Sequence, residues 1–279
     1  MVTADLQGRD YLFPSSQTAL QYYDSVHGNG AADEIVFNTP IVLYSHKMVA
    51  DALADQEIVS QNDGVYYADM VKLTELILAE KKWSDIGLPQ LYGNVFVDTT
   101  DPARSNSGNM FAALLANSLN GGKTVDEESI YHIIPDLKRI FAQTGFMETS
   151  SSDLFNQFLR MGVGAKPIIA GYESQLLEYA AEYPGDYAKI KDDIVVIYPT
   201  PTVWSAHVYI ALDEDGKAGI EALTDPEVQR LAWEKHGYRT SSTGSISGEI
   251  AVSGIPGSIT SVMNVPTYNV MKQIIDELS

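Results

Sequence analysis

The chain of 279 residues contains no cysteine, which removes thiol catalysis, cysteine-based zinc sites and any disulfide framework. That absence is as compatible with an exported protein as with a cytosolic one. Basic residues are scarce: 18 Lys and Arg stand against 37 Asp and Glu, a formal net charge of −19. Such a surface repels nucleic acid and anionic membranes, so neither is an expected partner. It leaves room for a small anionic ligand, because a pocket of aligned N–H and O–H dipoles acts locally. No apolar run reaches membrane-spanning length and no signal peptide is visible, so an exported protein would be represented here in processed or trimmed form.

Enzyme signatures are missing as well. Gly122-Lys123-Thr124 resembles the end of a phosphate-binding P-loop, but its first glycine should fall at 117, where Asn117 stands. Gly162 and Gly164 lack the third glycine of a dinucleotide fingerprint, since Pro167 occupies that place. There is no G-x-S-x-G and no H-E-x-x-H. His27, His46, His132, His207 and His236 are scattered without ligand spacing, and acidic pairs such as Asp192-Asp193 read as solvated faces. No catalytic residue, metal site or cofactor is expected.

With 45% hydrophobic and 20% charged residues, the chain is globular and long enough for two lobes. Strand and helix signals alternate along it, which predicts an α/β fold with mainly parallel sheets. Strands are expected at residues 11–13, 34–38, 39–45, 94–98, 166–170, 194–198 and 209–212. Helices are expected at 17–26, 48–53, 66–82, 130–144, 150–159, 174–183 and from Pro226 to Gly237, with a last one from Pro266. Ser152 or Asp153 would cap the 150–159 helix. Residues 241–261, rich in Ser and Gly, read as loop.

The stretch 101–115, D-P-A-R-S-N-S-G-N-M-F-A-A-L-L, carries the strongest site signal. Ser105, Asn106 or Ser107 can cap a helix whose face is set by Phe111, Leu114 and Leu115, and Gly108 leaves its first turn without a side-chain wall. Following the strand at 94–98, this makes a strand, a polar loop and a helix N-terminus, whose N–H groups and dipole can hold an anion. An ordinary capped helix explains the same residues. Pro14-Ser15-Ser16 before the 17–26 helix forms a second unit of this kind, either as plain caps or as donors. Arg104 could pair an anion or a surface carboxylate.

Several motifs, taken in order, resemble the extracellular solute-binding proteins of ABC importers, in the two-lobed class II. Asp101 to Gly108 (D-P-x-R-S-N-S-G) resembles the ligand loop of the second lobe. P-I-I-A-G-Y-E-S-Q from Pro167 resembles the strand that ends in a binding-site tyrosine. Y-P-T-P-T-V-W-S-A-H from Tyr198 resembles the crossover back into the first lobe. D-P-E-V-Q-R-L-A-W-E-K-H-G-Y-R from Asp225 is similar to the late helix with its glycine-aromatic-arginine ending. The molybdate/tungstate/sulfate branch is the most similar one.

This resemblance implies a periplasmic-binding-protein-like type II fold, with lobe one at residues 1–44 and 202–279, lobe two at 45–201, and hinges near 43–46 and 200–205. It implies ligand donors at Ser15, Ser16, Ser105, Asn106, Ser107 and Tyr172, and a small ligand, a tetrahedral oxyanion above all. It further implies delivery to a membrane permease and an extracytoplasmic, membrane-anchored, monomeric protein. Tyr172 could equally be a packing tyrosine, and Trp204 and His207 at the hinge have packing as their default role. Glu173 would repel an oxyanion, so it should point away or mark a cationic ligand. The family's opening strand–helix–strand unit has no counterpart before Tyr11, so lobe one is expected to be incomplete. A ligand-sensing or interaction module of the same fold is the alternative function.

Overall fold

One strand of 15 residues, β2 (Ala32–His46), runs through both halves of the sheet. From Asn38 to His46 every residue is buried, which is why the run Pro40-Ile41-Val42-Leu43-Tyr44 is apolar without alternation: both of its faces are covered. The expected strands at 34–38 and 39–45 are thus one element. The computed structural model describes residues 6–240 and 252–279.

The other strands are β1 (Tyr11–Leu12), β3 (Val59–Asn62), β4 (Val65–Ala68), β5 (Ile168–Tyr172), β6 (Ile194–Pro199), β7 (Trp204–Ala211) and β8 (Arg239–Thr240). The N-terminal half of β2 pairs with β7, from Ala32–Ala211 to Pro40–Trp204, and with β8 at Phe37 and Asn38. From Ile41 onward β2 pairs with β5 on one side, and from Leu43 with β6 on the other. The change of partners falls at Pro40, whose nitrogen carries no proton for a ladder bond. There the Ile41 N–H donates to Val203 O (3.0 Å) and the Thr202 hydroxyl donates to Ile41 O (2.6 Å).

Helices cover these strands: α1 (Gln17–His27), α2 (Lys47–Asp55), α3 (Met70–Leu78), α4 (Asn106–Leu119), α5 (Ile130–Ala142), α6 (Ser151–Met161), α7 (Glu173–Glu182), α8 (Pro184–Ile190), α9 (Glu214–Thr224), α10 (Pro226–His236) and α11 (Tyr268–Leu278). The α/β class and the covering of a central sheet by helices are as expected. The strand directions differ from the expectation. Among the described strand pairs only β4–β6 is parallel, because β5, β6, β7 and β8 all run back along the single long strand.

The largest core cluster surrounds α4, whose Met110 to Ala116 are all buried, so the helix is apolar on every side rather than amphipathic. A second cluster on the other face of β2 joins Tyr44, Phe155, Phe158, Ile169, Tyr198 and Trp233. Around β1 and β7 the cores are small, with Leu12, Tyr23, Val208 and Ile210 in one and Val36, Tyr209 and Ala211 in another. The C-terminal helix α11 packs on α1, α4 and α5.

The helix expected at 66–82 is shorter. Asp63 (φ 49°) and Gly64 (φ 80°) turn β3 back into β4, and the helix starts only at Met70, where the Asp69 carboxylate accepts from the N–H groups of Val71 and Lys72. A positive φ at both central residues is what a tight two-residue hairpin demands. Residues 94–98 touch β5 through one bridge, Asp98–Ile169, rather than forming a full strand. Ser150 caps α6, its side chain accepting from Asp153 N, two residues before Ser152 and three before Asp153. Helices α8 and α9 have no counterpart among the expected elements. Part of the expected loop at 241–261, residues 241–251, lies outside the described residues.

Candidate functional site

Thr100 and Asp101 lead into α4 with almost no clearance. A Cβ on Gly108 would lie 2.2 Å from Thr100 O, so glycine lets the helix start sit against the loop backbone. Ser105 is the N-cap in extended conformation, and the first intrahelical bond runs from Asn109 N to Ser105 O (3.0 Å). The N–H groups of Asn106, Ser107 and Gly108 therefore have no acceptor within the helix. The Ser105 hydroxyl does not cap. It bonds to Ser107 Oγ (3.0 Å), which bonds to Thr100 Oγ1 (2.7 Å), forming a chain of three hydroxyls.

Asn106 is the junction of the site. Its Nδ2 donates to Tyr172 Oη (3.0 Å), Ser205 Oγ (3.1 Å) and Ser15 O (3.1 Å), and the Ser205 hydroxyl also donates to Ser15 O (2.9 Å). An amide has two protons for these three acceptors, so the bonds are shared. Burial raises the Tyr172 phenol to about 12, with the hydrogen bonds from Asn106, Ser205 and Ser107 opposing the rise. It is a neutral donor at any working pH.

Of the six expected ligand residues, Asn106, Tyr172 and Ser15 are thus joined directly, although Ser15 contributes its carbonyl and not its hydroxyl. Ser105 and Ser107 join through the hydroxyl chain. Ser16 serves as the cap of α1: its Oγ accepts from Thr18 N (3.2 Å) and lies 2.7 Å from Thr18 Oγ1. Ser205 and Thr100 belong to the constellation and escaped the sequence reading. Ser205 carried a usable signal, since it lies between Trp204 and His207 in the motif assigned to the crossover.

Between the starts of α1 and α4 lies a groove of about 570 Å³, lined by Ser16, Thr18, Arg104, Ser105, Asn106 and Asn109, with Tyr22 and Tyr268 on its far wall. No carboxylate lines it. Arg104 sits exposed at the rim, its Nε 3.6 Å from Asp101 Oδ2. A second groove, of about 850 Å³, flanks α1 on the side of Gln17 and Gln21 and is acidic, with Asp126, Glu127 and Glu128. Tyr22 and Tyr268 stack at 4.5 Å, and Gln21 Oε1 accepts from Tyr268 N (3.1 Å), which fastens α11 to α1.

Glu173 points away from the groove. Its carboxylate accepts from Arg239 Nε and Nη2 (2.6 Å each) and from Tyr198 Oη (2.5 Å), and both charged side chains are fully buried. Burial by itself disfavours the guanidinium charge, but the bonds and charge of Glu173 outweigh it and hold the Arg239 pKa above its ordinary value. His207 packs between Phe13 (6.1 Å) and Tyr238 (5.0 Å) with Nδ1 lacking a partner, and burial lowers its pKa to about 4. Trp204 opens β7 opposite Pro40, as a packing residue at the crossover. Among the described residues, no three of His, Asp and Glu gather as they would around a metal ion.

No protein-family profile and no curated protein sequence matches the chain. Solved structures do. An iron-bound HitA from Pseudomonas aeruginosa superposes with TM-score 0.62 at 9% identity, over 97% of this chain and 82% of that one. A protein from Bordetella parapertussis described as an extracellular solute-binding protein gives 0.59 at 13%, over 98% and 76%. The substrate-binding protein of an ABC transporter from Agrobacterium tumefaciens gives 0.56 at 15%, over 96% and 77%. A periplasmic thiamin-binding protein and a Bordetella ferric-binding protein also match. These structural neighbours are solute-binding proteins of diverse ligands, and what the chain shares with them is the periplasmic-binding-protein type II fold.

Proposed function

We propose that the chain is a non-catalytic solute-binding component of an ABC importer, and that it captures a small anion, a tetrahedral oxyanion, in the groove between the starts of α1 and α4. The observation that carries this reading is the composition of that groove. In a chain of net charge −19, its lining holds hydroxyls, amides, two helix N-termini and one arginine, and no carboxylate. Such a set donates hydrogen bonds and presents positive dipole ends, which suits an oxyanion and not a metal cation. Ferric iron and thiamin, named for some of the neighbours, call for other chemistry than this lining supplies.

On this reading the two lobes, expected at residues 1–44 with 202–279 and at 45–201, divide a few residues earlier on β2, because 41–44 pair with β5 and, from 43, with β6. The lobes close on the ligand by hinge motion. The hinge lies where β2 changes partners at Pro40 and Ile41, and in the return segment from Thr200 to Ser205. Residues 43–46 are unsuited to bending, since 43–45 are laddered on both sides by β5 and β6 and His46 by β6. The loaded monomer, extracytoplasmic and anchored at the membrane, would pass its ligand to a permease.

A thermal-unfolding screen with molybdate, tungstate, sulfate and phosphate tests this, with chloride at matched ionic strength as the control. A ligand that binds only the native state adds about 2.7 kcal/mol at a hundredfold excess over Kd. The expected result is stabilisation by one oxyanion that saturates and disappears in Arg104→Gln/Ser105→Ala. Equal shifts with chloride, or none with any oxyanion, would overturn the ligand class.

A further inference from the structure

Tyr172 is held from behind by a part of the molecule that never reaches the groove. It is the last residue of β5 and is followed by Glu173, whose carboxylate enters the buried pair with Arg239. That pair joins the two halves of the sheet. Arg239 lies on β8, opposite Asn38 in the N-terminal half of β2, whereas Glu173 follows β5, which pairs with the C-terminal half. Tyr198 Oη donates to Glu173 Oε1 and Arg239 Nη2 donates to Pro256 O (2.9 Å), and the guanidinium lies 5.6 Å from the centre of the Trp233 ring.

The backbone around Tyr172 is tied as closely. Tyr172 N donates to Gln175 Oε1 (2.8 Å), Ser174 N to Thr39 Oγ1 (3.2 Å) and Leu176 N to Tyr44 Oη (3.2 Å). At the edge of the groove the contact is of another kind. There the neutral amide of Asn106 meets Ser15 O and Ser205 Oγ, beside open space. Separating a buried ion pair strands two charges in a poorly solvating interior, while the bonds of Asn106 are neutral, only partly buried and open to the groove on the Asn106 side, so parting them costs less. The two joints therefore differ greatly in what it takes to part them.

We propose that Glu173 and Arg239 are positioning residues that form the fixed side of the site: they hold the Tyr172 turn in place across the two sheet halves, and the groove opens at the Asn106 contact while the ion pair stays closed. Tyr172 then holds Asn106, which does line the groove, through its hydroxyl (3.0 Å) from a rigid support, and the segments bearing Ser15 and Ser16 move against that fixed side. The part of this that concerns a ligand rests on the anion-binding reading above. The mechanical part does not.

The test compares Arg239→Lys, which keeps the charge and loses the two-pronged geometry, with Asn106→Ala. Backbone amide exchange is followed at Tyr172, Ser174 and Leu176, with the β2 amides of Leu43 to Ser45 as internal reference. In Arg239→Lys the three amides should exchange faster by about tenfold or more relative to the reference. In Asn106→Ala they should be unchanged, while spin labels at Ala19→Cys and Ala103→Cys, in a chain with no native cysteine, report a longer and broader distance across the groove. If Arg239→Lys fails to fold, Glu173→Leu/Arg239→Met, which removes both charges, takes its place in the exchange measurement.

A rise in exchange that is uniform over the reference amides would mean a merely structural pair and overturn the proposal. So would a rise at Tyr172 in Asn106→Ala equal to that in Arg239→Lys. Sulfate titration adds a separate arm: affinity should fall about tenfold in Arg239→Lys, a loss near 1.4 kcal/mol, and unchanged affinity would overturn the positioning role. If the wild-type chain binds no sulfate, molybdate, tungstate or phosphate, the anion reading fails while exchange and spin-label distances still decide the mechanical claim.

Discussion

Gly108 and His207 show how much a single side chain, or its absence, sets in this molecule. In an ordinary helix Gly→Ala gains about 1 kcal/mol. At Gly108 the new methyl carbon would lie 2.2 Å from Thr100 O and 2.9 Å from the Asp101 carbonyl carbon, both main-chain atoms of the loop that carries the site. Backbone cannot swing aside as a flexible side chain does, so the clash dominates and Gly108→Ala should destabilise by about 3 kcal/mol in denaturant unfolding. A stabilised variant would mean that the loop yields. His207 acts through its proton. Its folded-state pKa of about 4 lies below the ordinary 6.5 because burial beside Phe13 and Tyr238 disfavours the charged ring, more than the hydrogen bond with the Phe37 backbone favours it. The unfolded chain binds the proton first, so the contribution of His207 is fully present above pH 6.5 and is lost as pH falls toward 4. The loss over that window should be about 3 kcal/mol. Comparing His207→Phe with the wild type across pH 4–7 isolates it from the carboxylates, and parallel curves would refute the assignment.

At the scale of elements, α5 contains a built-in flaw. Pro135 is the sixth residue of the helix, where it has no N–H for Tyr131 O, and it is exposed. A proline at such a position costs about 3 kcal/mol relative to alanine in a regular helix, less whatever it recovers by restricting the unfolded chain. Pro135→Ala should therefore raise stability by about 1–2 kcal/mol in thermal unfolding, and a loss would show that the helix is shaped around the ring. The sequence pattern exposed most elements of this kind. The faces of α3, α6 and α10 follow from apolar spacing and from caps such as Asp225-Pro226. It failed where tertiary pairing decides. Tyr66 and Tyr67 continue the helical spacing of α3, yet the Asp63-Gly64 turn commits them to a strand beside β6. The apolar run of β2 announced a buried strand but not its partners, so parallel pairing was inferred where antiparallel neighbours lie. Helix α9 has only Gly216 buried and so carries almost no apolar stripe to read. The site shows the same division. Asn106 and Tyr172 stood out by motif, while the contact of Asn106 with Ser15 and Ser205 depends on residues 91 and 99 positions apart in the chain.

For the molecule as a whole, the excess of 19 negative charges is a field that every folded contact must work against. Many of the cations are already spent on exposed neighbours one turn away, such as Lys47–Asp51, Lys189–Asp186 and Arg230–Glu227, pairs worth little singly. Salt should therefore stabilise. Raising NaCl from about 10 mM to about 300 mM shortens the screening length from near 30 Å to below 8 Å, which removes repulsion between separated carboxylates faster than it weakens the close pairs. The expected gain is of order 1 kcal/mol, a rise of about 2–4 °C in midpoint for a chain of this size. On the proposed anion-binding reading, this field also makes the carboxylate-free groove between α1 and α4 the place where an oxyanion would meet least repulsion. The two effects separate by their concentration laws. Screening follows ionic strength whatever the salt, whereas binding follows the concentration of one anion and grows by about 1.4 kcal/mol per decade above Kd. In Arg104→Gln/Ser105→Ala the screening component should persist, and even grow slightly because the net charge becomes more negative and the Arg104–Asp101 attraction is lost, while the anion-specific component vanishes. A variant that lost both would place the salt effect in the groove itself, and the view of the surface as a diffuse repulsive field would be wrong.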